Sequence, residues 1–313
     1  MTFGLWSDRR LRPEHARLLD GAAAIVEDVV EAEAIVASGG LRCDGALMDR
    51  APRLRVISRT GIGVDRVAIE EATARRIAVC NLPDGPTVST AEHALALLLA
   101  TAKRVRAAER AAREARPNYA DEHDAIELAG LTLGLVGQGR IGTRMARYAQ
   151  ALGMRVLAYD PYAPAAPGVE PTATLDELLA ASDVVSLHAP LTPETHHLLD
   201  AAAIARMKRG AILVNAARGG LVDEGALLDA LDREHVAGAG LDVFDPEPPD
   251  PGNPLLAHDR VVATPHVASS TEACRDRLLR GAIAQALQVL RGERPPHLVN
   301  PEVWAAVRRT LPT

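Results

Sequence analysis

Short apolar runs alternate with amphipathic stretches along most of this chain. In its first part the runs EAEAIVAS, LRVISRTG and IAVCNLP each close on turn-forming residues. From Leu131 a more regular series follows, made of LTLGLVG, VLAYD, VVSLHAP, AILVNAARG, AGAGLDVF and VVATPHVA, with helices predicted from Arg140 and around LDELLAA. Strands that are apolar throughout and are separated by helices are typical of a parallel sheet covered on both faces. The pattern therefore predicts an α/β protein with a doubly wound parallel sheet.

Two longer helices are predicted outside this series. Ser89 and Glu92 form a capping-box pattern, which predicts that a helix opens there and runs through LALLLATAKRVRAAERAAREA to the residue before Pro117. Because its first half is apolar and its second half charged, we interpret it as a domain connector and dimer element, with a plain core helix as the alternative. The other helix, TEACRDRLLRGAIAQALQVLRG, leads into a closing segment that is long enough to pack back on the first domain.

Length and charge narrow the class of protein. At 313 residues the chain exceeds the usual size of one domain, so we expect two domains, each with its own core. The net charge of −6, with dispersed basic residues, lacks the positive patch of a nucleic-acid binder and favours a small-molecule ligand. The opening MTFGLWSDRR becomes charged too early for a secretory signal, and no stretch is apolar for the length that a bilayer requires. We therefore expect a cytoplasmic protein with no membrane contact.

The cysteines and the adjacent histidines give little sign of special chemistry. Cys43, Cys80 and Cys274 show no CxxC spacing, and we interpret them as reduced, buried thiols. His196 and His197 are neighbours in sequence, so on a helix they would point in different directions and make a poor metal pair. No cluster has metal-ligand spacing, and the sequence predicts no metal site.

A glycine-rich string, GQGRIG, directly follows the first strand of the regular series. It contains Gly137, Gly139, Arg140, Ile141 and Gly142. In a GxGxxG turn the first glycine makes the tight turn, the second admits a pyrophosphate and the third lets helix and strand pack closely. The amino terminus of the following helix presents the positive end of its dipole. These features predict a dinucleotide-binding turn.

An acidic residue indicates which dinucleotide is bound. Asp160 closes the next strand, 18 positions after Gly142 (160 minus 142), where a carboxylate accepts hydrogen bonds from the adenosine ribose. A 2′-phosphate would face that negative charge, and the PYAP string that follows offers no arginine to receive it. The sequence therefore predicts NAD as the cofactor. The alternative is that Asp160 serves only the turn.

Several later strings carry a family resemblance. They are LHAPLTPETHHLLD, VNAARGGLVDEGALLDAL, GAGLDVFDPEPP and ATPHVAS. Together with GLVGQGRIG, SRTGIGVD and VSTAEHALALLLA, they resemble the D-isomer-specific 2-hydroxyacid dehydrogenases from the middle of the first domain to the carboxyl end. Independent strings in the same order are stronger evidence than any single motif. The resemblance implies an enzyme that transfers hydride between NAD and a D-2-hydroxy acid or 2-keto acid.

The resemblance also implies three catalytic residues. The family's arginine in the ARG string, glutamate in the DPEP string and histidine in the PH string are here Arg218, Glu247 and His266. Histidine titrates near working pH, so His266 is expected to exchange the substrate hydroxyl proton while hydride moves. Glu247 would stabilise the imidazolium and fix its tautomer. Arg218 offers a permanent charge and a planar fork of donors to the substrate carboxylate and the neighbouring carbonyl.

Other contacts follow from the same resemblance. Gly61, Ile62 and Gly63 resemble the loop whose backbone amides hold the substrate carboxylate, although these glycines could serve only the turn. Residues that resemble the family's cofactor contacts are His188, Ala189, Pro190, Thr195, Ala216, Ala217 and Asp242. Among them, Asp242 is expected to accept from the nicotinamide carboxamide. For His188, an interior histidine satisfied by backbone is the alternative.

The expected architecture combines two Rossmann-like domains. Residues 1–97 with 284–313 would form a flavodoxin-like substrate domain, and residues 98–283 would form the inserted NAD-binding domain. The active site would lie in the cleft, where closure would complete the site and exclude water. The long helix after Ser89 suggests a homodimer by analogy with the family.

The substrate is less defined than the reaction. Formate dehydrogenases of the family carry glutamine where this chain has Glu247, so that branch is disfavoured, whereas phosphite dehydrogenases keep the acid. Phosphoglycerate dehydrogenases would be expected to carry a phosphate-binding arginine in a VRS-like string, where this chain has VAS with Ala37. The end of the sequence at Thr313 also leaves no room for a regulatory domain, although Arg42 or Arg59 could replace the missing arginine. We therefore favour a small unphosphorylated acid such as glyoxylate or hydroxypyruvate.

Two alternatives to this function remain. One is D-3-phosphoglycerate dehydrogenase activity. The other is a non-catalytic NAD-sensing scaffold of the same fold, which can retain the catalytic set, although this chain shows no extended low-complexity tail for partner proteins. A Rossmann enzyme of unrelated chemistry would require the later strings to be coincidental.

Overall fold

The chain forms two compact α/β units. The structure is a computed structural model and describes residues 2–309. Contacts group Met1–Pro86 with Ser270–Thr313 in unit 1 and Thr87–Ser269 in unit 2. The sequence had placed these boundaries at 97/98 and 283/284, and the observed ones differ because each long helix packs entirely within one unit.

Unit 1 begins with five short strands and three short helices. In chain order these are β1 (Phe3–Ser7), α1 (Pro13–Ala16), β2 (Ala23–Ile25), β3 (Ala34–Ala37), α2 (Gly45–Arg50), β4 (Val56–Arg59), α3 (Ile69–Ala74) and β5 (Ala78–Cys80). Single 3-10 turns lie at Arg17–Leu19 and Val29–Glu31. The strands β3, β4 and β5, which the sequence predicts, are buried along their whole length.

Unit 2 contains the regular series. Its elements are α4 (Thr87–Ala102), α5 (Val105–Arg113), α6 (Tyr119–Glu122), β6 (Thr132–Val136), α7 (Arg140–Ala151), β7 (Arg155–Tyr159), β8 (Glu170–Pro171), α8 (Leu175–Ala181), β9 (Val184–Leu187), α9 (Ala201–Arg206), β10 (Ala211–Asn215), α10 (Glu224–Asp232), β11 (Val236–Leu241), α11 (Pro254–Ala257) and β12 (Val261–Ala263), with a 3-10 turn at Gly219–Leu221. The chain then returns to unit 1 with α12 (Glu272–Leu290), a 3-10 turn at Pro301–Val303 and α13 (Trp304–Arg309).

Both sheets are parallel, as the apolar strands predict. The sheet of unit 1 has the order β2-β1-β3-β4-β5, which is the flavodoxin-like order. The sheet of unit 2 has the order β12-β11-β10-β9-β6-β7-β8, a Rossmann arrangement extended by one strand. Its strand order reverses between β6 and β9, so the loops that follow these two strands flank the place where such sheets bind ligands. The two-domain α/β fold is thus confirmed.

The last helix completes the core of unit 1. Thr271 caps α12 by accepting from the amide of Cys274 at 3.1 Å. The helix packs on β3, β4 and β5, and its buried residues Ala282, Ile283 and Ala286 join the same apolar cluster as Leu5. Unit 1 therefore cannot form its core from its first segment alone.

The long helix predicted after Ser89 is two helices. It begins at Thr87, two residues before the predicted cap, and stops at Ala102, and Arg104 adopts a left-handed conformation with φ of +47° before α5 starts. The apolar half, α4, lies against β10, β11 and α7. It comes close to β11 because Gly240 has no side chain: a Cβ there would lie 2.9 Å from Cβ of Leu97. This supports the alternative of a core helix for α4, and the single continuous connector is wrong.

The cysteines are buried as expected. Cys43, Cys80 and Cys274 are free thiols, and burial raises the pKa of Cys43 to about 11 and that of Cys80 to about 12.

Across residues 2–309, no helix has both the length and the apolar character needed to span a membrane.

Candidate active site

The glycine turn after β6 has the geometry that dinucleotide binding requires. Gly137 has φ of +91°, and a Cβ there would lie 2.9 Å from the amide nitrogen of Ala189. A Cβ on Gly142 would lie 2.3 Å from the carbonyl oxygen of Gly137, so the third glycine lets α7 pack against the turn. Gly139, in contrast, faces open space, with no atom within 4 Å of a built Cβ. The open side of the turn is therefore where a pyrophosphate fits, at the amino terminus of α7.

Asp160 braces this turn from the end of β7. Its Oδ2 accepts from the amide of Gln138 at 2.8 Å, and its Oδ1 accepts from the amides of Tyr162 and Ala163 at 2.9 and 3.0 Å. A carboxylate has about four acceptor sites, so one remains for a ribose hydroxyl. The residues present thus fit an NAD adenosine, while Asp160 also serves the turn.

Hydrogen bonds hold the loop after β9 to β9 itself and to β6. The amide of His188 donates to the carbonyl of Val136 at 2.8 Å, and its Nε2 lies 2.9 Å from Oγ of Ser186. Burial lowers the pKa of His188 to about 4, so the ring is neutral at pH 7. The ring is therefore satisfied within its own unit, by a hydroxyl and not by the backbone. The Thr195 hydroxyl is similarly engaged, since it donates to the carbonyl of Pro190 at 2.7 Å.

Arg218 is presented by a turn that a buried amide holds. Asn215, the last residue of β10, donates from Nδ2 to the carbonyl of Arg218 at 2.8 Å and accepts at Oδ1 from the amide of Ala217 at 3.0 Å. The arginine itself is half-buried and donates from Nη1 to the carbonyl of Ala217 at 2.6 Å. Asn215 was missed by the sequence reasoning, and its position at a strand end was the only signal that could have indicated it.

The loops that carry Arg218 and Glu247 meet backbone to backbone. A Cβ on Gly219 would lie 2.0 Å from the carbonyl carbon of Phe244 and 2.6 Å from the amide nitrogen of Asp245. Only glycine permits this approach. Since β10 and β11 are neighbouring parallel strands, their carboxyl ends place the two loops side by side.

Asp242, at the end of β11, organises the loop that bears His266. Its side chain is 0% exposed, and it accepts from the Thr264 hydroxyl at 2.6 Å and from the amides of Val267 and Ala268, both at 2.9 Å. Its own carbonyl accepts from the amide of His266 at 2.6 Å. A carboxylate buried in this way holds the histidine loop, and the expected contact of Asp242 with the nicotinamide carboxamide stays a prediction.

The structure brings Glu247 and His266 together. Oε2 of Glu247 lies 2.9 Å from Nδ1 of His266, whose side chain is 46% exposed and whose backbone is left-handed with φ of +52°. The contact at Nδ1 leaves Nε2 as the ring nitrogen that can reach a substrate. The other carboxylate oxygen, Oε1, is buried without a hydrogen-bond partner in the described part of the chain.

In the Gly61–Gly63 loop of unit 1, the backbone carbonyls accept hydrogen bonds, whereas the backbone amides are left to bind a ligand. The carbonyl of Gly61 accepts from the amide of Leu82 at 2.8 Å, that of Ile62 from Nδ2 of Asn81 at 2.8 Å, and that of Gly63 from Nε of Arg59 at 3.3 Å. Within residues 2–309, the amides of these three residues have no acceptor. Successive free amides form a concave site suited to an anion.

Comparisons with known proteins decide the family. Residues 95–268 match the family model described as D-isomer specific 2-hydroxyacid dehydrogenase, NAD binding domain. The chain belongs to this family of dehydrogenases. It is 45% identical over 250 residues to D-3-phosphoglycerate dehydrogenase of Archaeoglobus fulgidus, covering 79% of this chain and 47% of that protein. It is 43% identical over 287 residues to glyoxylate reductase of Korarchaeum cryptofilum, covering 89% of this chain and 86% of that one.

A solved structure of the family shares the fold. D-lactate dehydrogenase from Aquifex aeolicus, complexed with NAD and lactic acid, superposes with a TM-score of 0.85 at 31% identity, over 95% of this chain and 98% of that one. The present chain spans about half the length of the phosphoglycerate dehydrogenases that it matches.

The two adjacent histidines differ from their predicted arrangement. His196 and His197 lie in a turn, not on a helix, and their rings stack with centroids 4.0 Å apart and an interplanar angle of 24°. The reason is the left-handed backbone of His197, with φ of +50°, which folds one ring onto the other. The expectation that the rings diverge is therefore wrong. In the part of the chain that the structure describes, no group of three or more histidine, cysteine or acidic side chains could hold a metal ion.

Proposed function

We propose that this protein is an NAD-dependent dehydrogenase that interconverts a D-2-hydroxy acid and the corresponding 2-keto acid. The observation that carries this proposal is the 2.9 Å contact between Glu247 and His266, on loops at the carboxyl edge of the sheet that also presents the glycine turn. A titratable histidine held by a carboxylate at this edge is the arrangement that proton transfer during alcohol oxidation requires.

Each residue has a separable part in the reaction. His266 accepts the hydroxyl proton at Nε2 during oxidation and returns it to the ketone oxygen during reduction. Glu247 holds Nδ1 and stabilises the charged ring. Arg218 binds the substrate carboxylate and polarises the carbonyl, and the free amides of Gly61, Ile62 and Gly63 are suited to binding a carboxylate. NAD, when bound, supplies or accepts the hydride at the carbon that carries the oxygen.

The residues at the end of β3 support a small unphosphorylated substrate. Ala37 has no cationic group, and the next residue, Ser38, donates from its amide to Oδ1 of Asp8 at 2.8 Å and from its hydroxyl to Oδ2. Arg59 is buried, and its guanidinium donates to the carbonyls of Ser38 and Gly63. A carboxylate at this position disfavours a phosphate, which would carry further negative charge. We therefore favour glyoxylate or hydroxypyruvate.

The alternative of 3-phosphohydroxypyruvate is kept because relatives of that specificity match well. Arg42 is exposed and lies 3.6 Å from Asp44, so a phosphate could compete for it. A non-catalytic NAD sensor is the second alternative. Cytoplasmic location and a homodimer remain predictions that rest on the sequence and on the family.

The test is NADH oxidation by the purified protein with glyoxylate, hydroxypyruvate, pyruvate and 3-phosphohydroxypyruvate. We expect turnover with the small acids, and a loss of kcat of about 100- to 10,000-fold in His266→Ala, since a positioned acid-base group contributes about 10² to 10⁴. A matched control is His196→Ala, which removes an exposed histidine remote from Glu247 and His266 in sequence and should keep full activity.

Gly139→Val should abolish NADH binding by filling the open side of the glycine turn. Intact NADH binding with no turnover of any acid would favour the sensor.

A further inference from the structure

Glu247 lies in a loop that has little means of holding itself in place. Residues 244–253, FDPEPPDPGN, connect β11 to α11 without helix or strand, and four of the ten are prolines. Proline has no amide hydrogen, so such a segment can donate few backbone hydrogen bonds. Its internal hydrogen bonds lie at the far end, where Asp250 accepts from the amides of Gly252 and Asn253 at 2.7 and 2.9 Å. Contacts from outside the loop are therefore needed near Glu247.

One carboxylate contacts both ends of this loop. Oε1 of Glu224 accepts from the amide of Asp245 at 2.8 Å, and its Oε2 accepts from Nδ2 of Asn253 at 2.6 Å. Glu224 is the first residue of α10, a helix whose start is capped by Asp223 through the amide of Ala226 at 3.0 Å. The carboxylate is thus anchored on a rigid element, outside the loop that it contacts.

Asn253, which contacts Glu224 at the carboxyl end of the loop, is itself held in place. Oδ1 of Asn253 accepts from the amide of Leu255 at 3.0 Å and so caps α11, while its Nδ2 is used by Glu224. At the near end, the backbone contact between Gly219 and Phe244 is next to the Glu224 contact. Both ends of the loop therefore have defined positions, and Glu247 lies two residues from the Asp245 contact.

We propose that Glu224 is a positioning residue for catalysis, which holds the Glu247 loop so that Oε2 stays within hydrogen-bond distance of His266. It touches neither substrate nor cofactor and acts through the loop. This inference rests on the proposed dehydrogenase function. Loss of the clamp lets Glu247 move away from Nδ1, and His266 then loses both its orientation and its charge partner.

The test exchanges donor and acceptor across the Glu224–Asn253 contact. Glu224→Gln places an amide NH₂ where a carboxylate accepted, and Asn253→Asp keeps a good helix cap but sets two carboxylates against each other. In the double variant the new amide can donate to the new carboxylate, so the hydrogen bond returns with its direction reversed. We expect each single variant to lower kcat 10- to 100-fold, with KM for the keto acid and Kd for NADH within threefold, and the double variant to recover to within about threefold of the wild type.

The matched control acts on the same helix without touching the loop. Asp229→Ala removes an exposed ion pair with Arg233 at the other end of α10, so it should leave kcat within twofold of the wild type. The proposal is overturned if Asp229→Ala loses as much kcat as Glu224→Gln, if the single variants raise KM alone, or if the double variant is no better than the singles.

A second measurement separates this inference from the proposed function. Hydrogen exchange of the peptide that spans residues 244–253 should be faster in Glu224→Gln and Asn253→Asp and should return to the wild-type rate in the double variant. This readout needs no turnover. If the wild type binds NADH but reduces no acid, the dehydrogenase proposal fails, and unchanged exchange in the single variants would then separately refute the clamp.

Discussion

Asp242 shows how a carboxylate can be both buried and charged. Burial alone would raise the pKa of Asp242, but hydrogen bonds from His93, Thr264 and the amides of Val267 and Ala268 outweigh it and hold that pKa below its ordinary value. His93 reaches this group from α4, with Nε2 2.9 Å from the Thr264 hydroxyl and 3.4 Å from Oδ1 of Asp242. The residue pattern AEHA gave no sign of these contacts, because His93 and Thr264 are 171 positions apart in sequence.

Asp242→Asn should destabilise the protein strongly. The amide replaces one acceptor oxygen with donors that face the existing donors, so we expect a loss of about 2–4 kcal/mol in the free energy of unfolding at pH 7. Because the folded-state pKa is depressed, the charged carboxylate contributes stability above its unfolded value near 3.9, and this contribution is lost as pH falls through the folded value. In guanidinium titrations of both proteins, the difference in the free energy of unfolding should therefore narrow as pH falls from 7 to 3. A gap that stays constant with pH would contradict the assignment.

Among the helices and strands, those with a continuous apolar sequence were predictable. The strands β3 to β7 and β9 to β12 coincide with apolar runs because both faces of a parallel strand are buried. The strands β1 and β2 were not predicted, since β2 has only three residues, AAI, and two of them are exposed. The end of α4 was also missed. The helix ends at Ala102, before Lys103 and Arg104, where neither glycine nor proline marks a stop, and tertiary contacts decide it.

The contact between the Arg218 and Glu247 loops gives a prediction at Gly219. Gly219→Ala would place a methyl group 2.0 Å from the carbonyl carbon of Phe244, so the two loops must separate. We expect Tm to fall and kcat to drop at least about tenfold, because displacements near 1 Å at a catalytic group can cost 100-fold. The matched control is Gly225→Ala on α10, where the nearest atom is an Asp223 side-chain oxygen at 3.3 Å. Equal loss of activity in both variants would show that the loop contact is not the cause.

Across the whole chain, the sequence indicates candidate reactive residues more readily than the residues that hold them in place. Arg218, Glu247 and His266 could be named because each stands in a family string that resemblance transfers. Asn215, Gly219 and Glu224 could not be given their roles, since those roles depend on which loops meet. Short sequence motifs can identify candidate reactive residues. The residues that position them are identified only by contacts between segments that are distant in sequence.

The insertion of unit 2 into unit 1 should couple the unfolding of the two units. The core of unit 1 needs α12, which the chain reaches only after the 183 residues of unit 2 (269 − 87 + 1). If unit 2 unfolds first, those residues become a flexible loop whose closure costs on the order of 5 kcal/mol. Unit 1 therefore loses stability when unit 2 unfolds, and a ligand of unit 2 should protect both.

The three cysteines and both tryptophans make this measurable. Cys43, Cys80, Cys274, Trp6 and Trp304 all belong to unit 1. Thiol labelling and tryptophan fluorescence therefore both follow unit 1, while NADH is expected to bind unit 2. The native protein should label slowly at pH 8, since the thiols are buried and burial raises the pKa of Cys43 to about 11 and that of Cys80 to about 12.

NADH at 100 times its Kd should add about 2.7 kcal/mol to the stability of the unit that binds it. With coupled unfolding, the guanidinium midpoint for thiol exposure rises with NADH, and the midpoint of tryptophan fluorescence rises equally. Gly139→Val is the matched control, because it fills the open side of the glycine turn without meeting any atom within 4 Å of its Cβ, so NADH should produce no shift. If NADH raises the midpoint of far-ultraviolet circular dichroism but leaves thiol exposure unmoved, the two units unfold independently and the coupling argued from their interrupted chain is wrong.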